Sequence, residues 1–228
     1  MNVNSMLSSA DFAPYPAPVA TFAVTLPPTG GHPIFPVGQV PGERAGTVGN
    51  ETWNGAYGGS FYDVTVPEIY PRLVSNASTA VLISPGGAYK WLTWELEGES
   101  AAAWLNQLNI SAYILKYRVP ARPWLPFGGA PLMDIQRAIG LIRSQQPAMR
   151  VGVLGFSAGS HLSAHVSNDY LRRTYPKVDA ADELSCKPDF AMLRKFEGLY
   201  LSSAPVRSSP LSYMGAVPTT DHSLLTSR

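Results

Sequence analysis

Residues 151–161 read VGVLGFSAGSH, an apolar, strand-like run that breaks at Gly155-Phe156-Ser157-Ala158-Gly159 and passes into a helix-like stretch. This is the sequence form of a nucleophile elbow, a tight strand-to-helix turn that lifts one side chain clear of the backbone. The side chain is the hydroxyl of Ser157, and the chemistry open to it is nucleophilic attack on an acyl carbon. The flanking glycines leave room for the turn and for close helix packing. Gly-x-Ser-x-Gly also occurs in purely structural Gly-rich turns, so the strand before it and the helix after it are what favour the elbow.

Such a serine needs a sheet behind it, and the flanking sequence supplies one. Residues 80–84 (AVLIS) form a short, wholly apolar run ending at Pro85-Gly86-Gly87, as expected of a buried parallel strand. Residues 112–117 (AYILKY) give a second strand, and the run into the elbow a third. Between them, residues 97–109 set Ala101, Trp104, Leu105 and Leu108 at helical spacing. Pro131 opens another helix carrying Ile135, Ala138, Ile139 and Ile142, and a third helix runs from Ala158 to about Arg172. Residues 63–70 (DVTVPEIY) read as an edge strand interrupted by Pro67. Strands alternating with helices imply right-handed crossovers and a mostly parallel α/β sheet covered on both faces.

Outside this core the sequence changes character. Residues 1–48 carry eight prolines and many glycines without periodicity and are expected to form an irregular arm. The core then spans residues 49–191, followed by an atypical tail over 192–228. With 228 residues, 45% of them hydrophobic, and a formal charge of +1, the chain can bury one core and shows no sign of a nucleic-acid partner. A neutral substrate is expected. The lone Cys186 excludes an intramolecular disulfide and a cysteine-built metal site. No run of eighteen apolar residues suggests a membrane span, so a soluble protein is expected. No Lys or Arg precedes Arg44, as a secretory leader would require, while sequons at Asn50, Asn76 and Asn109 are compatible with secretion. The compartment stays open between cytoplasm and secretion.

Four ordered segments carry a more specific likeness: SPGGAY (84–89), ELEGESAAAWL (95–105), PLMDIQRAIGLIR (131–143) and GFSAGSHL (155–162). Together they resemble the α/β-hydrolase esterases of the acetylxylan esterase and xylan-associated esterase-lipase kind, over about residues 33 to 190. The resemblance implies the α/β-hydrolase fold and hydrolysis of small acyl esters, among them acetylated sugars or xylan. It implies Ser157 as nucleophile, and an oxyanion hole built from the backbone N–H groups of Gly87, Ala88 and Ala158. Ala88 stands where the family usually has a third glycine, which a backbone donor tolerates if its φ is negative. Ser160 likewise replaces a customary glycine and bears on how closely the helix packs. No cofactor or metal is implied. His161 and His165 have a metal-compatible i, i+4 spacing but lack a third ligand, and read as core or surface histidines. Asp134 and Arg137 read as an i, i+3 ion pair or a cap, and Glu97 and Glu99 as acidic residues suited to a helix start.

Acyl transfer also needs a base for the serine proton and a carboxylate to orient that base. The family places both on loops after later strands, following residues 187–190, whereas from about Met192 this sequence shows neither family motif nor clear alternation and is expected to lack the C-terminal part of the fold. The only histidine after Ser157 outside the elbow helix is His222, directly after Asp221, and adjacent side chains seldom face each other as a base and its orienting carboxylate require. Two other readings follow: a catalytically impaired hydrolase-like binding or regulatory protein, and a peptidase of the prolyl-oligopeptidase kind, which would normally bring a large further domain.

Overall fold

The computed structural model describes residues 25–56 and 58–194. Its centre is a six-stranded sheet in the order β1(His32–Pro33), β4(Glu68–Arg72), β7(Ser111–Lys116), β5(Thr79–Ser84), β8(Arg150–Phe156), β9(Ala191–Arg194). The strands β7, β5, β8 and β9 run parallel, while β4 and β1 add antiparallel pairs at one side. The apolar runs explain the middle of this sheet. Every residue of β7 is buried, as are the last five of β5. Because alternate side chains of a strand face opposite ways, burial of both sets means that both faces of the sheet are covered.

Three helices connect the parallel strands: α1(Ser100–Gln107), α2(Gly129–Gln145) and α3(Ala158–Asn168). The first packs on β7 and β4, and the last on β8, β9 and β5. On α2 the residues Ile135, Ala138, Ile139 and Ile142 are fully buried, as their spacing requires. A second, antiparallel sheet of β2(Thr52–Asn54), β3(Ser60–Tyr62) and β6(Trp91–Thr93) follows the turn after β5. It is joined to the core by edge-on contacts of Phe61 with Trp94 and of Trp94 with Tyr70. The arrangement is a mostly parallel α/β sheet with helices on both faces.

Several elements differ from their sequence pattern. Residues 63–70 are not an edge strand: β4 starts only at Glu68, after Asp63 turns the chain at φ 54°, and β1 covers its outer side. The helix expected from Glu97 is a π-helical turn, Glu95–Glu99, before α1 begins. The extra residue in that turn rotates the buried stripe to Ala101, Ala102 and Leu105, leaving Trp104 and Leu108 exposed. The boundary at 191 cuts through a strand, since Met192, Leu193 and Arg194 belong to β9, too short a run to show alternation. The third helix stops at Asn168. In the proline-rich segment, His32–Pro33 pairs with β4, and the next two residues, Ile34 and Phe35, are buried in the core.

Asp134 and Arg137 do not pair with each other. The carboxylate of Asp134 accepts from the backbone N–H and the guanidinium of Arg118, with both side chains fully buried. Arg118 also donates to the carbonyls of Pro41 and Ala130. Arg137 instead binds Asp179 and Asp182 and donates to the Ile34 carbonyl. The two arginines thereby tie the proline-rich segment to α2. Removing one partner of a buried pair strands the other charge at a cost of about 3–5 kcal/mol, against about 0–1 for an exposed pair. Asp134→Ala should therefore lower urea-unfolding stability by about 3–5 kcal/mol, and Asp179→Ala, whose carboxylate is half-exposed, by about 1.

Candidate active site

The site lies where the sheet changes direction. From β5 the chain crosses by α1 to β7 on one side, and from β8 it crosses by α3 to β9 on the other. The carboxyl ends of β5 and β8 therefore flank a topological switch point, the place where open α/β sheets bind ligands. Ser84 is paired with Gly155, so the Gly-rich turn after β5 and the elbow after β8 leave the sheet side by side.

Ser157 has φ 49° and ψ −114° and is exposed, between the last residue of β8 and the first of α3. A side chain at positive φ is strained by about 1–3 kcal/mol and persists only where its surroundings hold it. Here the N–H of Ser157 donates to the carbonyl of Arg194 on β9, and its carbonyl accepts from Ser160 and His161. The glycines act through close approach. A Cβ on Gly155 would lie 2.2 Å from the Gly159 carbonyl oxygen, and one on Gly159 would lie 1.9 Å from that of Ser84. The serine at position 160 does not loosen this packing: its hydroxyl lies 2.7 Å from the Gly155 carbonyl and 2.8 Å from that of Arg194, bridging the elbow to β9.

Across from the elbow, a Cβ on Gly86 would lie 3.0 Å from Cβ of Ser157, so the two turns are in contact. The Gly-rich turn is fixed by bonds from Thr93 N–H to Gly86, from Lys90 and Trp91 N–H to Gly87, and from Ala121 N–H to Tyr89. These use carbonyls of the turn. The N–H of Ala158 is in the first turn of α3, where the helix supplies it no acceptor and the dipole favours negative charge. Gly87 has φ 131°, and Ala88 and Tyr89 follow at φ 54° and 56°. The condition of a negative φ at Ala88, under which it would readily replace a glycine, is therefore not met, because the chain reverses here through consecutive residues at positive φ. Asp221 and His222 lie outside the described residues. His161 and His165 are occupied elsewhere, His161 Nδ1 at 2.9 Å from the Tyr89 hydroxyl and His165 Nε2 at 3.0 Å from Asp169. Among the described residues no group of three His, Cys, Asp or Glu side chains is placed to hold a metal ion. Cys186 is buried, which pushes its thiol pKa up and keeps it neutral.

Glu97 is the functional residue that a general appeal to helix dipoles hides. Its carboxylate is 6% exposed and accepts the Gly86 N–H at 2.7 Å, so it anchors the Gly-rich turn from below. Regular helical spacing carries no signal for it, because Glu97 sits in the π-helical turn before α1 begins. Glu99 instead pairs with Arg72 and accepts from Trp94 Nε1.

No family model matches the chain. It is 34% identical over 103 residues to an acetylxylan esterase of Xylanibacter ruminicola, an alignment covering 42% of this chain and 20% of that protein. It is 30% identical over 166 residues to endo-1,4-beta-xylanase B of Butyrivibrio fibrisolvens, covering 68% of this chain and 25% of that one. A solved acetyl ester-xyloside bifunctional hydrolase from Caldicellulosiruptor lactoaceticus is 34% identical with a TM-score of 0.47, over 56% of this chain and 48% of that one. The chain thus spans only a fifth to a quarter of the length of these curated relatives. It resembles α/β-hydrolase esterases, and acetylxylan esterase in particular. Among the described residues, no helix is long and apolar enough to cross a membrane.

Burial raises the pKa of Glu97 above its ordinary 4.5, opposed by the Gly86 N–H and by Arg194. A carboxyl whose folded pKa is raised favours the fold most when protonated. Its contribution is therefore complete below about pH 4.5 and is lost as pH rises through the elevated value. Glu97→Gln should keep an acceptor for Gly86 and flatten this part of the stability–pH curve, as urea unfolding of the two proteins across pH 4–8 would show. Glu97→Leu should cost about 1–3 kcal/mol below about pH 4.5 by leaving the Gly86 N–H unpaired, and the difference from wild type should shrink as pH rises through the elevated value.

Proposed function

We propose that this chain carries the nucleophile and oxyanion-binding part of a serine-dependent carboxylic-ester hydrolase acting on small acyl esters, including acetyl groups on saccharides such as xylan. The observation that carries the reading is the exposed, left-handed Ser157 at the switch point between β5 and β8, in contact with the Gly-rich turn. The similarity to an acetylxylan esterase supports the substrate class.

In this reading Ser157 Oγ attacks the acyl carbon and the carbonyl oxygen gains the charge of a tetrahedral intermediate. The N–H groups of Gly87 or Ala88 and of Ala158 stabilise that charge from fixed positions. Collapse expels the alcohol and leaves an acyl-serine, which water then hydrolyses. Each half needs a base, and His161 and His165, the histidines of the elbow helix, hydrogen-bond to Tyr89 and Asp169 rather than to Ser157. That observation favours a second reading, a hydrolase-like binding protein with impaired catalysis. Loss of the base alone costs about 10⁶ in turnover in a comparable serine hydrolase, leaving roughly 10³–10⁴ over water.

The 228-residue chain should therefore hydrolyse p-nitrophenyl acetate slowly, and Ser157→Ala should remove what activity exceeds background. Rapid turnover abolished by both Ser157→Ala and His222→Ala would overturn the expectation of weak activity and make His222 the base. Turnover indifferent to Ser157→Ala would remove the serine mechanism.

A further inference from the structure

The Gly-rich turn and the elbow belong to different strands, yet an oxyanion hole needs their N–H groups held at one separation. One side-chain bond joins them above the sheet. Tyr89, the last left-handed residue of the turn, places its hydroxyl 2.9 Å from Nδ1 of His161, one helical turn after Ser157. The phenol is the donor when the imidazole carries its proton on Nε2. Tyr89 is 4% exposed, and burial raises its pKa, so the hydroxyl keeps its proton. Its ring meets Phe127 edge-on at 5.3 Å, and Phe127 also lies 5.9 Å from the His161 ring, shielding the bond on one side. Tyr117 braces the start of the same turn by donating to the Pro85 carbonyl at 2.6 Å.

We propose that the Tyr89–His161 hydrogen bond is a strut that sets the spacing between the two halves of the oxyanion hole, which makes both side chains positioning residues. The role rests on the ester-hydrolase reading. Two consecutive non-glycine residues at positive φ, Ala88 and Tyr89, are not held by their own preferences. The strut grips the second of them. It fixes the turn against α3, whose first N–H is the other donor, and gives His161 a task that leaves it unavailable as the catalytic base.

The test compares the 228-residue chain with Tyr89→Phe, His161→Ala, His161→Asn and the Tyr89→Phe/His161→Ala double variant. Amide hydrogen exchange by NMR at Lys90 and Trp91, which bond to Gly87, reports the turn, and amides of β5 and β8 report the fold. Loss of one hydrogen bond should speed exchange at Lys90 and Trp91 by roughly 3–10-fold in Tyr89→Phe and His161→Ala, with the strands unchanged. The double variant should exchange no faster than either single one, and His161→Asn, which keeps an acceptor near Nδ1, should stay close to wild type. In p-nitrophenyl acetate hydrolysis the same variants should lose kcat by a similar factor at constant KM, as expected for a contact that matters in the transition state. Exchange unchanged in Tyr89→Phe, or additive effects in the double variant, would overturn the strut; this measurement needs no turnover and decides the proposal alone. Hydrolysis that survives Ser157→Ala would overturn the ester-hydrolase reading instead.

Discussion

The structure turns on a contact between two backbones with no side chain between them. Helix α3 can begin directly above the strand ends only because Gly159 lies against the Ser84 carbonyl and Gly155 against the Gly159 carbonyl. A methyl group at either place would have to displace main chain, and close-packed interiors yield little. This approach brings the first turn of α3 over the carboxyl ends of β5 and β8. It forces the reversal at Ser157 into positive φ and leaves the hydroxyl facing out. The Gly-rich turn could not touch the elbow if α3 stood an ångström higher.

The periphery solves a related problem with charge. Segments without regular structure carry carbonyls that need partners, and buried arginines supply them. Arg118 reaches Pro41 and Ala130, Arg122 reaches Val64 and Glu43, and Arg137 reaches Ile34. Each guanidinium has donors for both a carboxylate and a carbonyl, which a lysine could not direct in a fixed fork. Beyond the short His32–Pro33 ladder with β4, the proline-rich segment is thus bound to α2 and to the loop after β7 by side-chain donors.

The parallel strands and helix α2 were legible because strong apolar runs and i, i+3, i+4 spacing depend on local chemistry alone. The place of Ser157, between a strand and a helix, was legible for the same reason. What escaped depends on distant partners. The carboxylate of Asp134 was read against its helix neighbour Arg137, but burial places it opposite Arg118, sixteen residues earlier. Glu97 was read as a dipole residue because the π-helical turn, which points it under Gly86, has no local sequence mark. Ala88 looked tolerable on the assumption of ordinary backbone, and the reversal at Gly87 through Tyr89 is set by the small sheet that follows. β9 is four residues long and its meaning comes only from pairing with β8.

The bonds between the elbow and β9 also order events in time. Ser157 N–H and the Ser160 hydroxyl both meet the Arg194 carbonyl, and Ser160 and Arg194 are 34 positions apart. Strands β5, β7 and β8 can associate through connections that are complete once residue 156 has been made, but the strained turn gains its outer restraint only when β9 docks. Long-range contacts form after the loop entropy between them has been overcome. During synthesis the Ser157 hydroxyl would therefore acquire its final orientation after the sheet that bears it, so that a chain still emerging holds the elbow in its sequence before holding it in its geometry.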